Sequence, residues 1–193
     1  MFIIHISGMP GAGKTTLGES IASTLDNGKN ICVIDTDELI ELDTPHGDEL
    51  LELEKLHDGD SDVYDKRWRE IFLAEIQRAI DSAQSKQMRI IVFVGILDHF
   101  GHGRTPITID PATHRFYLDV PMDQLICQFY TRYSLMFPST HLFWKDVVDG
   151  HECIPGSTQY ITDAGLAKQW HTDHGYTAMS SECIYAQIAQ LLK

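Results

Sequence analysis

Gly8-Met9-Pro10-Gly11-Ala12-Gly13-Lys14-Thr15 is the stretch of sequence that decides the fold. It matches the pattern G-x-x-x-x-G-K-[ST], a glycine-rich loop that binds phosphate where a strand passes into a helix. The apolar run at residues 2–6 precedes the loop, as a buried first strand would. Apolar residues at helical spacing follow it: Leu17, Ile21, Ala22 and Leu25. Both neighbours that the motif requires are present, which favours a phosphate-binding loop over a chance match of a glycine-rich turn.

The residue types in this loop suit phosphate binding. Glycines allow backbone conformations in which N–H groups approach phosphate oxygens closely. The start of the following helix adds a partial positive charge. We expect Lys14 to reach the β- and γ-phosphates of a nucleotide and the Thr15 hydroxyl to bind Mg²⁺. The predicted nucleotide-binding residues are Gly8, Met9, Pro10, Gly11, Ala12, Gly13, Lys14, Thr15 and Thr16.

Length and composition indicate one domain with an ordinary core. The chain has 193 residues, of which 43% are hydrophobic and 22% charged. A formal net charge of -13 argues against a broad nucleic-acid surface, and no apolar run approaches the roughly 20 residues of a membrane span. The start lacks a basic region and a cleavage site, and the four cysteines are scattered. We expect a cytoplasmic protein with free thiols.

Asp35-Thr36-Asp37 directly follows a second apolar run at residues 31–34. In open α/β sheets ligands bind beyond the carboxyl ends of strands, so these aspartates should share an edge with the loop. One carboxylate would hold Mg²⁺ through water, and the other would orient or deprotonate an acceptor hydroxyl. The alternative is that Thr36 or Asp37 caps a short helix over residues 38–42.

Candidate substrate contacts lie further along the chain. Arg67 and Arg69 stand near the start of a helix predicted over residues 64–83, where cations oppose the helix dipole and can bind anions. The alternative is a solvated face with local ion pairs. After a strand predicted over residues 88–94, Gly95 leaves room for a ligand and Arg104 could touch substrate.

Other segments lead to further predictions. Residues 41–62 are strongly acidic, and we expect an acceptor-side insertion over about residues 38–62, with a solvated face as the alternative. We expect residues 137–157 to form a lid over the nucleotide, with an ordinary packed connection as the alternative. Asp98 could assist Mg²⁺. Two pairs of histidines are weak candidates for a metal site: His99 with His102, and His171 with His174.

The loop, the aspartates after the second strand, the glycine-containing segment at 95–103 and Leu118-Asp119-Val120-Pro121 together resemble the small P-loop kinases. This group includes shikimate, gluconate, adenylylsulfate and nucleoside monophosphate kinases. The resemblance implies an α/β fold of three layers, in which helices flank a five-stranded parallel sheet of order 2-3-1-4-5. It further implies that Asp35 is the Mg²⁺-linked carboxylate and Asp37 the acceptor-binding residue or base. Arg67 with Glu70 is similar to the R-x-x-E of shikimate kinases, whose Arg binds the substrate carboxylate.

The chain departs from that group in its cations. Gln128 stands where these kinases usually have an Arg, and Arg132, one helical turn later, can substitute for it. Few cations follow, among them Lys145 and Lys168.

The sequence therefore predicts ATP- and Mg²⁺-dependent phosphoryl transfer to a hydroxyl of a small-molecule acceptor. Its catalytic residues would be Lys14, Asp35, Asp37 and Arg132. A nucleoside or nucleoside monophosphate kinase is one alternative. A nucleotide-binding regulatory module with little turnover is another, which the small number of cations favours. The sequence leaves the acceptor and the oligomeric state open.

Overall fold

A computed structural model describes residues 1–25, 29–39, 48–49, 52, 62–95, 108–136 and 157–193. The strands are β1 (Phe2–Ser7), β2 (Ile31–Asp35), β3 (Ile90–Val94), β4 (His114–Leu118) and β5 (Thr177–Met179). The helices are α1 (Lys14–Thr24), α2 (Asp62–Ser85), α3 (Met122–Met136), α4 (Ser157–Asp173) and α5 (Ser181–Leu191). Within the described residues, no helix has the length and hydropathy needed to cross a membrane.

The strands form one parallel sheet in the order β2-β3-β1-β4-β5, which confirms the predicted topology. β1 lies at the centre, with Ile6 opposite both Val94 of β3 and Phe116 of β4. Asp35 at the end of β2 is also opposite Val94. The carboxyl ends of β1, β2 and β3 are therefore level, and the residues that follow them share one edge of the sheet.

Alternate residues of β1 pack on opposite faces of the sheet, as strand geometry requires. Ile4 and Ile6 are fully buried against α1 and α5, in a cluster that includes Ile21 and Ile188. Ile3 packs on the other face with the apolar residues of α2. Because helices cover both faces, β3 is buried along its whole length and reads as a continuous apolar run.

Secondary structure differs from the prediction mainly after β2. A 3-10 turn spans Thr36–Glu38, where a helix over residues 38–42 was expected. Asp35 caps this turn by accepting a hydrogen bond from the Asp37 backbone N–H at 3.1 Å. The capping residue is therefore Asp35, and not Thr36 or Asp37 as the capping alternative expects. Residues 40–42 lie outside the described part of the chain, as do most of the acidic segment and nearly all of the predicted lid.

Thr36 and Gly95 are in close contact where β2 and β3 end. Gly95 has a φ of +152°, and an added Cβ would lie 1.7 Å from Thr36 Oγ1. The Thr36 hydroxyl is buried, and among the described residues it has no hydrogen-bond partner. The backbone approach therefore requires glycine at position 95.

We expect Gly95→Ala to destabilise the protein, because both the backbone conformation and the contact with Thr36 oppose a Cβ. Adding Thr36→Ala should recover part of the loss, since it removes the oxygen that the new Cβ meets. Gly165→Ala in α4 is the matched control, because its Cβ would meet nothing within 4 Å. That helical position should gain about 0.5–1 kcal/mol. Denaturant unfolding measures all four proteins, and a neutral Gly95→Ala would contradict the close contact.

Candidate nucleotide-binding site

The loop between β1 and α1 has the backbone of an anion-binding turn. Gly13 adopts the left-handed conformation, with a φ of +88°, and is the N-cap of α1. A Cβ at Gly13 would meet no atom of the described residues within 4 Å, so they leave open space beside Gly13. Gly13 has no side chain that could cap the helix, and no acidic residue lies in the first turn of α1. The first N–H groups of α1, which have no intrahelical acceptors, are thus placed to bind an anion.

Lys14 is oriented across the loop by its own backbone. Its Nζ donates to the Met9 carbonyl oxygen at 3.0 Å, so the ammonium group lies over the turn rather than beyond it. Its contact with the β- and γ-phosphates stays a prediction. The loop therefore combines helix N–H groups and one ammonium group at the carboxyl end of β1.

Thr15 and Asp35 are brought together as predicted for a magnesium site. Thr15 Oγ1 donates to Asp35 Oδ2 at 2.9 Å, and both side chains are accessible. A hydroxyl and a carboxylate are hard oxygen ligands, and Mg²⁺ in nucleotide sites uses one or two protein groups plus phosphates and water. The residues present therefore fit Mg²⁺. Asp37 lies beside the pair, with its backbone N–H on Asp35 Oδ1.

α3 packs directly against the loop. A Cβ at Gly11 would lie 3.2 Å from Phe129 Cα, so the two backbones are close. Gln128 precedes this contact, and its buried Oε1 has no hydrogen-bond partner within the described residues. Arg132 follows Phe129 by three positions in the helix. The structure thus places residue 132 on the element that touches the loop, and its catalytic role stays a prediction.

Arg67 forms ion pairs with two carboxylates. Its Nε and Nη2 bind the two Glu49 carboxylate oxygens at 2.5 and 2.9 Å, and its Nη1 binds Glu70 at 3.3 Å. These contacts raise the pKa of the Arg67 guanidinium further above its usual range. Glu49 belongs to the segment predicted as an acceptor-side insertion. Arg67 therefore ties α2 to that segment, and the predicted contacts of Arg67 and Arg69 with substrate stay predictions.

Most of the other predicted cations and metal ligands lie outside the part of the chain that the structure describes. Arg104, Asp98, Lys145, His99 and His102 lie outside the described residues. Lys168 lies in α4 and forms an ion pair with Asp119 at 2.7 Å. Among the described residues, no group of three or more His, Cys, Asp or Glu side chains could hold a metal ion.

Four buried polar side chains lie beneath the loop and form what we call the histidine cluster: His5, Ser7, His171 and Tyr176. Tyr176 Oη is 2.6 Å from His5 Nδ1, and His5 Nε2 is 3.3 Å from the Gly95 carbonyl oxygen. Ser7 Oγ is 2.6 Å from His171 Nε2, and His171 Nδ1 is 2.7 Å from the Ala167 carbonyl oxygen. The cluster links β1 to the end of β3, to α4 and to the start of β5.

The end of α4 explains how two members of the cluster meet. Gly175, with a φ of +80°, ends the helix in the left-handed conformation. The Tyr176 N–H bonds the His171 carbonyl at 2.9 Å and the Gly175 N–H bonds the Thr172 carbonyl at 3.2 Å, which is a Schellman motif. This motif places the Tyr176 ring edge-to-face against the His171 ring, with ring centroids 4.7 Å apart.

Burial keeps the cluster neutral. Desolvation lowers the pKa of His5 to about 3 and that of His171 to about 4. The positive charge of Lys14 lowers the pKa of both imidazoles further, so the histidine cluster and the loop interact electrostatically. Desolvation also raises the pKa of Tyr176 well above its ordinary value. All four side chains are uncharged at neutral pH.

His5 and Ser7 are not among the site residues predicted from the sequence. Both interrupt the otherwise apolar first strand at alternate positions, which indicates one polar face, but no motif connects them to residues 171 and 176. His171 and His174 were considered only as a metal pair. In the structure both Nδ1 atoms face carbonyls one turn earlier in α4, and only His171 is buried.

Comparison with known proteins points to the same class of site. The sequence model of the Zeta toxin family matches residues 2–91. The chain is similar to that family over this region. The match covers less than half of the chain and includes the loop, the Thr15–Asp35 pair and Arg67. No curated protein sequence matches the chain significantly.

The Zeta toxin family is a P-loop kinase-like family that binds nucleotide. The sheet order found here is that of a P-loop NTPase fold. Together these findings support a P-loop kinase in general, with nucleotide and Mg²⁺ binding. They do not select the shikimate and gluconate kinases or the nucleoside monophosphate kinases from the predicted group.

The histidine cluster predicts acid sensitivity. Because the folded pKa of His171 is depressed from 6.5 to about 4, its contribution to stability is complete above pH 6.5. It is lost as pH falls from 6.5 towards 4, at up to about 1.4 kcal/mol per pH unit, and His5 adds a similar loss. Titratable groups facing His171 include Lys14, His174, Tyr117 and Tyr176.

Denaturant unfolding across this pH range measures the effect. His171→Gln should show a shallower fall of the unfolding free energy than the wild type, and His174→Gln, which alters the exposed histidine just after α4, should not. Equal slopes for the wild type and His171→Gln would contradict a neutral buried imidazole.

Proposed function

We propose that this protein is a kinase that uses ATP and Mg²⁺ to phosphorylate a hydroxyl of a small-molecule acceptor. The observation that carries the proposal is the 2.9 Å hydrogen bond between Thr15 Oγ1 and Asp35 Oδ2. It joins the phosphate-binding loop to the aspartates that follow β2. The residues that we propose for phosphate, metal and acceptor binding thus follow strands whose carboxyl ends lie at one edge of the sheet.

When bound, Mg²⁺-ATP supplies the phosphoryl group and a divalent cation that neutralises phosphate charge. The Thr15 hydroxyl and Asp35 carboxylate would hold the metal, and Lys14 with the first N–H groups of α1 would hold the β- and γ-phosphates. Asp37 would accept a hydrogen bond from the acceptor hydroxyl and take its proton. In the transfer, the acceptor oxygen bonds the γ-phosphorus while the bond from that phosphorus to the bridging oxygen breaks.

The charged side chains near the proposed acceptor site favour an uncharged acceptor over a nucleoside monophosphate. Arg67 is held by Glu49 and Glu70, so an anionic group would have to compete with two carboxylates for it. Asp37 adds a further negative charge at the same edge of the sheet. A sugar or another polyhydroxyl compound carries no charge that these carboxylates would repel, and this supports the small-molecule proposal over the nucleotide alternative.

Incubating the protein with Mg²⁺-ATP and a panel of sugars, hydroxy acids, nucleosides and nucleoside monophosphates tests the proposal. We expect one class to stimulate ADP release. Lys14→Ala should abolish ATP binding, and Asp37→Asn should lower the phosphoryl-transfer rate by about 10²- to 10⁴-fold while ATP affinity stays nearly unchanged. Tight ATP binding without stimulated release would favour the regulatory alternative, and an equal loss of rate and affinity in Asp37→Asn would make Asp37 a metal or structural residue.

Arg67 should affect the acceptor rather than ATP, because it connects α2 to Glu49 of the acceptor-side segment. We expect Arg67→Gln to raise the acceptor KM several-fold and to leave the ATP KM unchanged. Arg78→Gln is the matched control, since Arg78 pairs with Glu75 on the same helix but further from its start. Steady-state kinetics with both substrates measure the difference. If both variants behave alike, Arg67 belongs to a solvated helical face.

A further inference from the structure

The proton positions in the histidine cluster follow from its neighbours. A neutral imidazole has one nitrogen that donates and one that accepts. His171 Nδ1 faces the Ala167 carbonyl, which can only accept, so Nδ1 carries the proton and Nε2 accepts from the Ser7 hydroxyl. By the same reasoning His5 Nε2 donates to the Gly95 carbonyl, and His5 Nδ1 accepts from the Tyr176 hydroxyl.

Ser7 is the last residue before the loop. Next to it, Gly8 lies against β4, where an added Cβ would be 3.2 Å from the Leu118 carbonyl oxygen. The Ser7 hydroxyl therefore anchors the point where β1 gives way to the loop, and its anchor is a side chain of α4. Ser7 is fully buried and His171 is 4% exposed, so water does not compete for this bond.

His5 contacts Gly95, at the carboxyl end of the neighbouring strand β3. Gly95 follows β3, and its N–H already bonds the Ile6 carbonyl at 3.1 Å. The His5 contact at the Gly95 carbonyl fixes the same residue from its other side. Because Tyr176 packs against both imidazoles, the two histidines are parts of one network.

We propose that His171 is a positioning residue for nucleotide binding, which holds the start of the phosphate-binding loop to α4 through the Ser7 hydroxyl. This inference rests on the nucleotide binding proposed above. His171 touches no substrate in this scheme. It acts through Ser7 on the backbone that precedes Gly8. An uncharged imidazole suits this role because it adds no charge near Lys14.

The test compares ATP affinity with stability. Ser7→Ala and His171→Leu should each weaken ATP binding by about three- to tenfold, the size expected for one buried hydrogen bond. His171→Gln should recover part of the affinity, because an amide oxygen can accept from Ser7. The double variant should bind ATP no more weakly than the single variant with the lower ATP affinity, since both changes remove the same contact.

Two controls separate positioning from general destabilisation. Ile80→Val removes a methyl group from the buried cluster under α2, away from the loop, and should lower the unfolding free energy without changing ATP affinity. His174→Gln changes the exposed histidine just after α4, whose Nδ1 faces the Trp170 carbonyl at 2.8 Å, and should change neither quantity.

Nitrogen NMR of the imidazoles supplies a signal independent of turnover. In the wild type, His171 should be protonated at Nδ1 and His5 at Nε2, and ATP should shift the His171 resonances but not those of His174. If ATP binds the wild type and is lost in Lys14→Ala, while Ser7→Ala and His171→Leu bind normally, the positioning role is wrong. If the wild type does not bind ATP, the proposed function itself fails.

Discussion

The central position of β1, paired in parallel on both edges, is the constraint on which the rest of the structure depends. It brings the ends of β1, β2 and β3 level, because Ile6, Val94 and Asp35 share one line of the register. The loop, the aspartates and Gly95 must then lie at the same edge. The Thr15–Asp35 hydrogen bond is a local consequence of this arrangement.

The face of β1 opposite α1 is divided between apolar and polar packing. Ile3 packs with α2, whereas His5 and Ser7 face polar groups of α4 and of the start of β5. Buried polar groups are costly unless each finds a partner, and here two carbonyls and two hydroxyls supply the partners. The division of this face explains why the strand that leads into the loop is anchored by hydrogen bonds and not by hydrophobic contact alone.

The resemblance to the small P-loop kinases predicted the sheet order, and the residues themselves predicted the strand and helix that flank the loop. That the aspartates after β2 share an edge with the loop follows from the general rule that ligands bind at the carboxyl ends of parallel strands. The capping alternative assigned the cap to Thr36 or Asp37, whereas Asp35 caps the turn over Thr36–Glu38, because its side chain reaches back to the Asp37 N–H. The sequence indicated Arg67 as an anion binder or as part of a solvated face with local ion pairs. Helical spacing could not reveal the ion pair between Arg67 and Glu49, because the two residues are 18 positions apart.

By itself the sequence determined the phosphate-binding loop, since glycine, lysine and threonine at fixed spacing specify a local backbone and its chemistry. It also determined the parallel sheet, since buried strands alternate with amphipathic helices. Only the tertiary structure decided which groups support the loop from below. His171 is 164 positions from Ser7, and no local pattern records that pairing. The reason is physical: the contact exists because β4 and the end of α4 fold back beside β1, and burial there makes both imidazoles neutral acceptors.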